Sequence, residues 1–209
     1  MAENETMRPE ESIAWFVNTR ISSIQNDYLS ANGKSRGARK LASLRHALLM
    51  PIGSDADAWP LEFEGLPSAL VGRGPEPSAG EMAVHAALTL YALHQQGQSR
   101  PMHIRGVGHG FGNAIRQLVV QEKDHYSNLE VGEMPRRFRA FITAESMDET
   151  LHYARQMVQQ LRGAGIAVDY ANLAAQLYGL QSPYKADQAR LAWGREYAFA
   201  GKANNDSSK

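Results

Sequence analysis

Apolar residues at Ile13, Phe16, Val17, Ile21, Ile24 and Tyr28 recur three or four positions apart, the spacing that gathers side chains on one side of a helix. The pattern predicts a first amphipathic helix from about Glu11 to Ser30, followed by a turn at Asn32-Gly33. Leu41, Leu44 and Leu48 repeat the spacing, so a second helix is expected over 38–50, stopped by Pro51. The stretch 51–80 is punctuated by Pro and Gly and has no regular period. It is expected to lie as a loop over the helices, packing Trp59, Leu61, Phe63 and Leu66 against them.

The segment "EMAVHAALTLYALHQQ" is apolar nearly all round, as a central buried helix should be, and Gly97 suits its C-terminal cap. A glycine-rich loop then runs into a helix near Phe111, and Pro135 is placed for the first turn of another. Ser146 and Glu149 read as a capping box opening a helix with Leu151, Ala154, Val158 and Leu161, which ends at Gly163 or Gly165. Asp169 caps the next helix, through Leu173 and Leu177, and Ser182-Pro183 precedes a last one presenting Ala189, Trp193, Tyr197 and Ala200. No segment alternates as a strand would. The fold class is all-α: an N-terminal helical subdomain over 11–122 with its irregular loop 51–80, a C-terminal bundle of short antiparallel helices over 134–201, and a disordered tail over 202–209.

Composition narrows the chemistry. With 209 residues and 43% hydrophobic content the chain can build its own core, and the absence of cysteine excludes disulfides, thiolate metal sites and cysteine nucleophiles. It also fits a reducing, cytoplasmic home. The start "MAENETMRPEE" is acidic where a signal peptide is basic and then apolar, and no apolar run has membrane-spanning length. The 22 basic and 22 acidic side chains cancel, yet they are segregated. No Asp or Glu falls between Asp27 and Asp55, between Glu81 and Glu122, or between Glu133 and Glu145, while basic residues fall in all three gaps.

Enzyme signatures are missing: there is no His-Glu-x-x-His pair, no Gly-x-Ser-x-Gly elbow and no recurring ligand spacing among the seven histidines. No cofactor is implied. His85 and His94 sit in the most apolar helix, where a hydrogen-bonded core histidine is the commoner role. The pairs Asp55 with Asp57 and Glu62 with Glu64 read as loop solvation rather than catalytic carboxylates. "GKS" at 33–35 ends like a phosphate-binding loop, but Tyr28 stands where that motif needs its first glycine and a helix stands where it needs a strand. The run Gly106-Val107-Gly108-His109-Gly110-Phe111-Gly112 does not fit a dinucleotide fingerprint, because Phe111 replaces the third glycine. It reads as a tight turn bringing Phe111 to the core, with a backbone contact to phosphate left open.

The basic residues carry the remaining signal. On the second helix Arg39, Ser43 and His46 share a polar face with Lys40 beside it, while Arg45 falls among the apolar positions. There it must either meet a carboxylate or reach a groove where phosphates can replace water. Arg136, Arg137 and Arg139 crowd a helix start, against the macrodipole, which points to an anionic partner.

Several stretches taken in order resemble the CasB small subunit of Cascade, the type I-E CRISPR surveillance complex. They are "GARKLASLRHAL", "ALTLYALHQQG", "GHGFGNAIRQL", "PRRFRAFITAESMDETLHYARQMVQQLRGAGIAVDYANLAAQLYGL" and "ARLAWGREYAF", spanning roughly 11–200. The resemblance implies a non-catalytic helical subunit that pairs with a second copy, contacts other Cascade subunits, and holds target and displaced DNA strands beside the guide RNA. It assigns nucleic-acid contact to Arg45 and to Arg136, Arg137 and Arg139, and more weakly to Arg39, Lys40 and Arg116. The chain departs from the family pattern in its neutrality and in the insertion over 51–80.

Overall fold

The computed structural model describes residues 7–122 and 134–200. The expected disordered tail, His125 and the acidic boundary at Glu133 lie outside them. The regular elements among the described residues are helices: α1 (Pro9–Leu29), α2 (Lys34–Ala47), α3 (Trp59–Glu62), α4 (Ala79–Gln95), α5 (Phe111–Gln121), α6 (Arg136–Thr143), α7 (Met147–Ala164), α8 (Tyr170–Leu180) and α9 (Ala186–Ala198). Among the described residues the only extended pairing is a single parallel bridge between His103 and Val168.

Helix α4 is the axis of the fold. Every residue from Ala83 to Gln95 is buried, because α1, α2, α7 and α8 pack around it. Its start is set by a capping box, Ser78 Oγ accepting from Glu81 N while the Glu81 carboxylate accepts from Ser78 N. That signature begins three residues before the predicted start, so α4 starts two residues earlier than expected. Packing of α1 on α8, and of α4 on α7 and α8, joins the two predicted segments around one apolar core. A second focus of this core is aromatic: Phe111, Phe138, Phe141, Trp193 and Tyr197 bring α5, α6 and α9 together, with Phe141 and Trp193 ring centroids 4.4 Å apart.

Helix α2 begins four residues before the expected Ala38 and ends at Ala47. Gly37 explains the early start: a Cβ there would lie 2.3 Å from Tyr28 N and 2.5 Å from Tyr28 Cα, so only glycine lets the first turn of α2 lie against the end of α1. The insertion is less irregular than its composition suggests. It holds α3 and a 3-10 turn at Ser68–Leu70, and it buries Leu61, Leu66 and Leu70, leaving Trp59 half exposed with its indole N–H donated to Gly53 O. The helix stops fall as expected, with Gly97 at φ +76° after α4 and Gly165 at φ +64° after α7. At Ser146 only half of the capping box forms. Ser146 Oγ accepts from Glu149 N, while the Glu149 carboxylate reaches Glu145 N instead.

Candidate nucleic-acid interface

The acid-free segment around α2 acquires acids from its flanks. Asp27, on the last turns of α1, faces α2 and binds Arg36 through two hydrogen bonds and Lys40 Nζ at 2.9 Å. Arg36 first and Lys40 second hold the Asp27 carboxyl far below the ordinary carboxylate range. At the other end His46 Nδ1 lies 2.8 Å from Asp55 Oδ2. The two residues that bound the sequence gap therefore fold back and neutralise much of its edge, including Lys40. Arg39 remains exposed.

Arg45 has a different environment. It is half buried, and burial, the largest effect, holds its guanidinium below the ordinary arginine pKa; Tyr28 opposes the shift and Arg162 of α7 adds to it. No carboxylate pairs with Arg45 among the described residues. Arg162 in turn is tethered to the end of α4, its Nη1 donating to Gln96 Oε1 at 3.1 Å, where a cation complements the helix C-terminus. Two guanidinium groups, on the two helices α2 and α7 that both pack on α4, are thus close enough to repel each other. Arg155 stands seven residues before Arg162, two turns along the same face of α7, and lines a cavity of about 360 Å³ shared with the end of α2 and with α4. Arg155 and Arg162 lie in a further acid-free stretch, between Glu149 and Asp169, that the three gaps named above leave out. Their seven-residue spacing is the signal that locates them.

The remaining candidates lie around the aromatic focus. Arg116 sits over the Tyr197 ring, 5.6 Å from its centroid, and Phe138 of α6 stacks near the same ring at 5.4 Å. Arg116 is therefore placed near the start of α6. That start has no acidic residue in its first turn and no side-chain cap, and Arg136, Arg137 and Arg139 are exposed there. The structure thus gathers the cations into two groups: Arg45 with Arg162 and Arg155, and Arg116 with the arginine trio.

The glycine-rich loop is closed to phosphate. The N-terminus of α5 already holds an anion, the half-buried Glu196 carboxylate of α9, which accepts from Gly112 N at 3.0 Å, Asn172 Nδ2 at 2.9 Å and Gln176 Nε2 at 2.7 Å. Burial raises the Glu196 pKa, these bonds oppose the rise, and Asp169 adds to it. A Cβ on Gly112 would lie 2.4 Å from Trp193 O, so its glycine serves the close approach of α5 to α9. Asp169 caps α8 as expected and also fixes the loop, accepting from Gly106 N and pairing with Arg105.

Two polar groups read as ordinary loop or core residues prove to be one unit. Glu62 is 1% exposed rather than solvated, and its Oε1 lies 2.9 Å from His85 Nδ1. His94, fully buried, bonds Tyr170 Oη through Nδ1 at 2.8 Å. Among the described residues no three His, Asp or Glu side chains are placed to hold a metal ion, and no helix is long and apolar enough to cross a membrane.

The model of one family, CRISPR-associated protein Cse2, matches residues 40–197. The chain belongs to that family. Among solved structures this Cse2-family chain is similar to CasB from Thermobifida fusca, at 30% identity over 90% of this chain and 98% of that one, with a TM-score of 0.68. A Cse2-family protein and a CasB, both from Thermus thermophilus, share its fold at 21% and 22% identity. Each alignment covers 91% of this chain and 98% of the other, with TM-scores of 0.59 and 0.56. No curated protein sequence matches it.

Proposed function

We propose that this Cse2-family protein is a non-catalytic subunit of a type I-E CRISPR surveillance complex. It binds single-stranded nucleic acid through phosphates, and in that complex it holds target and displaced DNA strands beside the guide RNA. Its neighbours are the other Cascade subunits and a second copy of itself. The observation that carries the reading is the Arg45–Arg162 pair: two guanidinium groups close enough to repel, Arg45 half buried and paired with no carboxylate among the described residues. A polyanion supplies the missing charge. Each Lys or Arg that neutralises a phosphate releases condensed counterion, so affinity for single strands falls with salt at a log–log slope of about −0.7 per contact. Sequence is left to guide pairing. The exposed trio Arg136, Arg137 and Arg139 extends the contact at a second place, and neutrality of the whole chain keeps it weak outside the assembly.

The alternative, a scaffold that touches only protein, is favoured by the neutralisation of Arg36, Lys40 and His46 at the edge of α2. Gel-shift titration of unrelated single-stranded oligonucleotides at low salt, with free protein and with assembled complex, separates the two. Arg45→Ala and Arg137→Ala should each weaken binding by similar factors on every sequence, while a scaffold would show no loss on any.

A further inference from the structure

The cavity beside Arg155 has the composition of a binding cup. Its walls are apolar and adaptable: Leu48 and Met50 at the end of α2, Met82 of α4 and Leu151 of α7. Its rim carries Asp148 and Arg155. Its floor carries His85, whose side chain is only 7% exposed. Glu62 engages Nδ1, and since a carboxylate only accepts, Nδ1 carries a proton; in the neutral ring Nε2 is then an acceptor. No protein group bonds that Nε2 among the described residues. Apolar walls with a few convergent polar groups are the build of a small-molecule or base pocket rather than of a phosphate site.

The cup is lined from the same two helices, α2 and α7, that carry Arg45 and Arg162. Leu48 follows Arg45 by one turn on α2, and Arg155 precedes Arg162 by two turns on α7, so a strand laid along the guanidinium groups passes over its mouth. Resting on the phosphate-binding reading above, we propose that the cup receives one everted nucleobase, whose edge meets His85 Nε2 while its faces lie against Met82 and Leu151. Every base offers an N–H donor on its pairing edge. The contact therefore fixes the position of the strand without reading its sequence, which agrees with recognition through phosphates.

The test compares, at low salt and with the full-length protein, a labelled single-stranded oligonucleotide of mixed sequence with an abasic oligonucleotide of the same length. Removing the bases should weaken binding about tenfold, the worth of one buried hydrogen bond and one apolar contact. The salt slope should stay the same. Leu151→Trp, at a half-buried wall position, fills the cup and leaves the Glu62–His85 bond in place; it should abolish the difference between the two oligonucleotides. His85→Ala should do the same, with a thermal melt to confirm folding. Equal affinity of the wild type for both oligonucleotides would overturn the base cup, leave the phosphate reading standing, and give the cup to an apolar side chain of a protein neighbour. No binding of either would overturn both.

Discussion

Helix α2 shows the same side-chain chemistry put to two uses. Along its edge, Arg36 and Lys40 converge on Asp27, and His46 meets Asp55. On its inner face Arg45 has Tyr28 and another arginine, Arg162, as its electrostatic neighbours, and no paired carboxylate among the described residues. The first arrangement satisfies itself. Surface pairs of that kind add little stability, because solvent screens them. The second leaves positive charge half desolvated and uncompensated, an arrangement that lowers stability alone and gains once an anion arrives. What distinguishes a binding cation from a solubilising one is thus the carboxylate nearest in space, and that carboxylate comes from another element.

The largest effect should follow from separating α2 from α1. Gly37→Ala places a methyl group against the Tyr28 backbone, so the helices must part; a loss of about 3 kcal/mol in urea unfolding is expected, with nucleic-acid binding falling as Arg45 moves. Stability unchanged within about 0.5 kcal/mol would show that the two helices do not fit as closely as described.

Acid should loosen the Arg45–Arg162 side before the edge. Burial, the leading cause, pushes His94 beneath α7 down to about 4, with Arg162 acting in the same direction and the carbonyls of Leu161 and Ile166 opposing. In the unfolded chain His94 takes its proton near pH 6.5. Between those values the unfolded state binds the extra proton, so stability falls as pH drops through the window, by about 3 kcal/mol in total. His94→Gln should flatten the slope of unfolding free energy between pH 6.5 and 4. His103, depressed likewise by burial, supplies part of what remains. An identical slope in the variant would remove His94 from the account. At the edge, the depressed Asp27 pKa means that its pairs persist above the ordinary carboxylate range and are lost only in stronger acid.

A smaller effect should convert one face into the other. Asp27→Asn releases Arg36 and Lys40, and affinity for single strands should rise about threefold at low salt, with a steeper salt dependence. No change would mean that those cations lie off the path of the strand.

The helices were legible because their signals are local: period, capping residues and stop glycines act within one turn. The capping box at Ser78 and Glu81 is equally local, and it sets the start of α4 two residues before the expected Glu81. The site was only half legible. Acid-free gaps along the chain count neighbours in sequence, whereas charges are cancelled by neighbours in space, so Asp27 and Asp55 were invisible as partners of the very segment they bound. The same limit hid Glu196, which fills the α5 start from α9, and the burial of Glu62 against His85. Arg162 and Arg155 were not hidden: the stretch from Glu149 to Asp169 is as free of acids as the three gaps, and its basic residues were legible in the same way.

The most direct measurement is the slope of log affinity against log salt for a labelled single strand. Replacing Arg45 and Arg162 together by Ala should make the slope shallower by about 1.4, while replacing Arg36 and Lys40 should leave it within about 0.3. A slope that responds to Arg36 and Lys40 and ignores Arg45 and Arg162 would contradict the assignment of the Arg45–Arg162 pair.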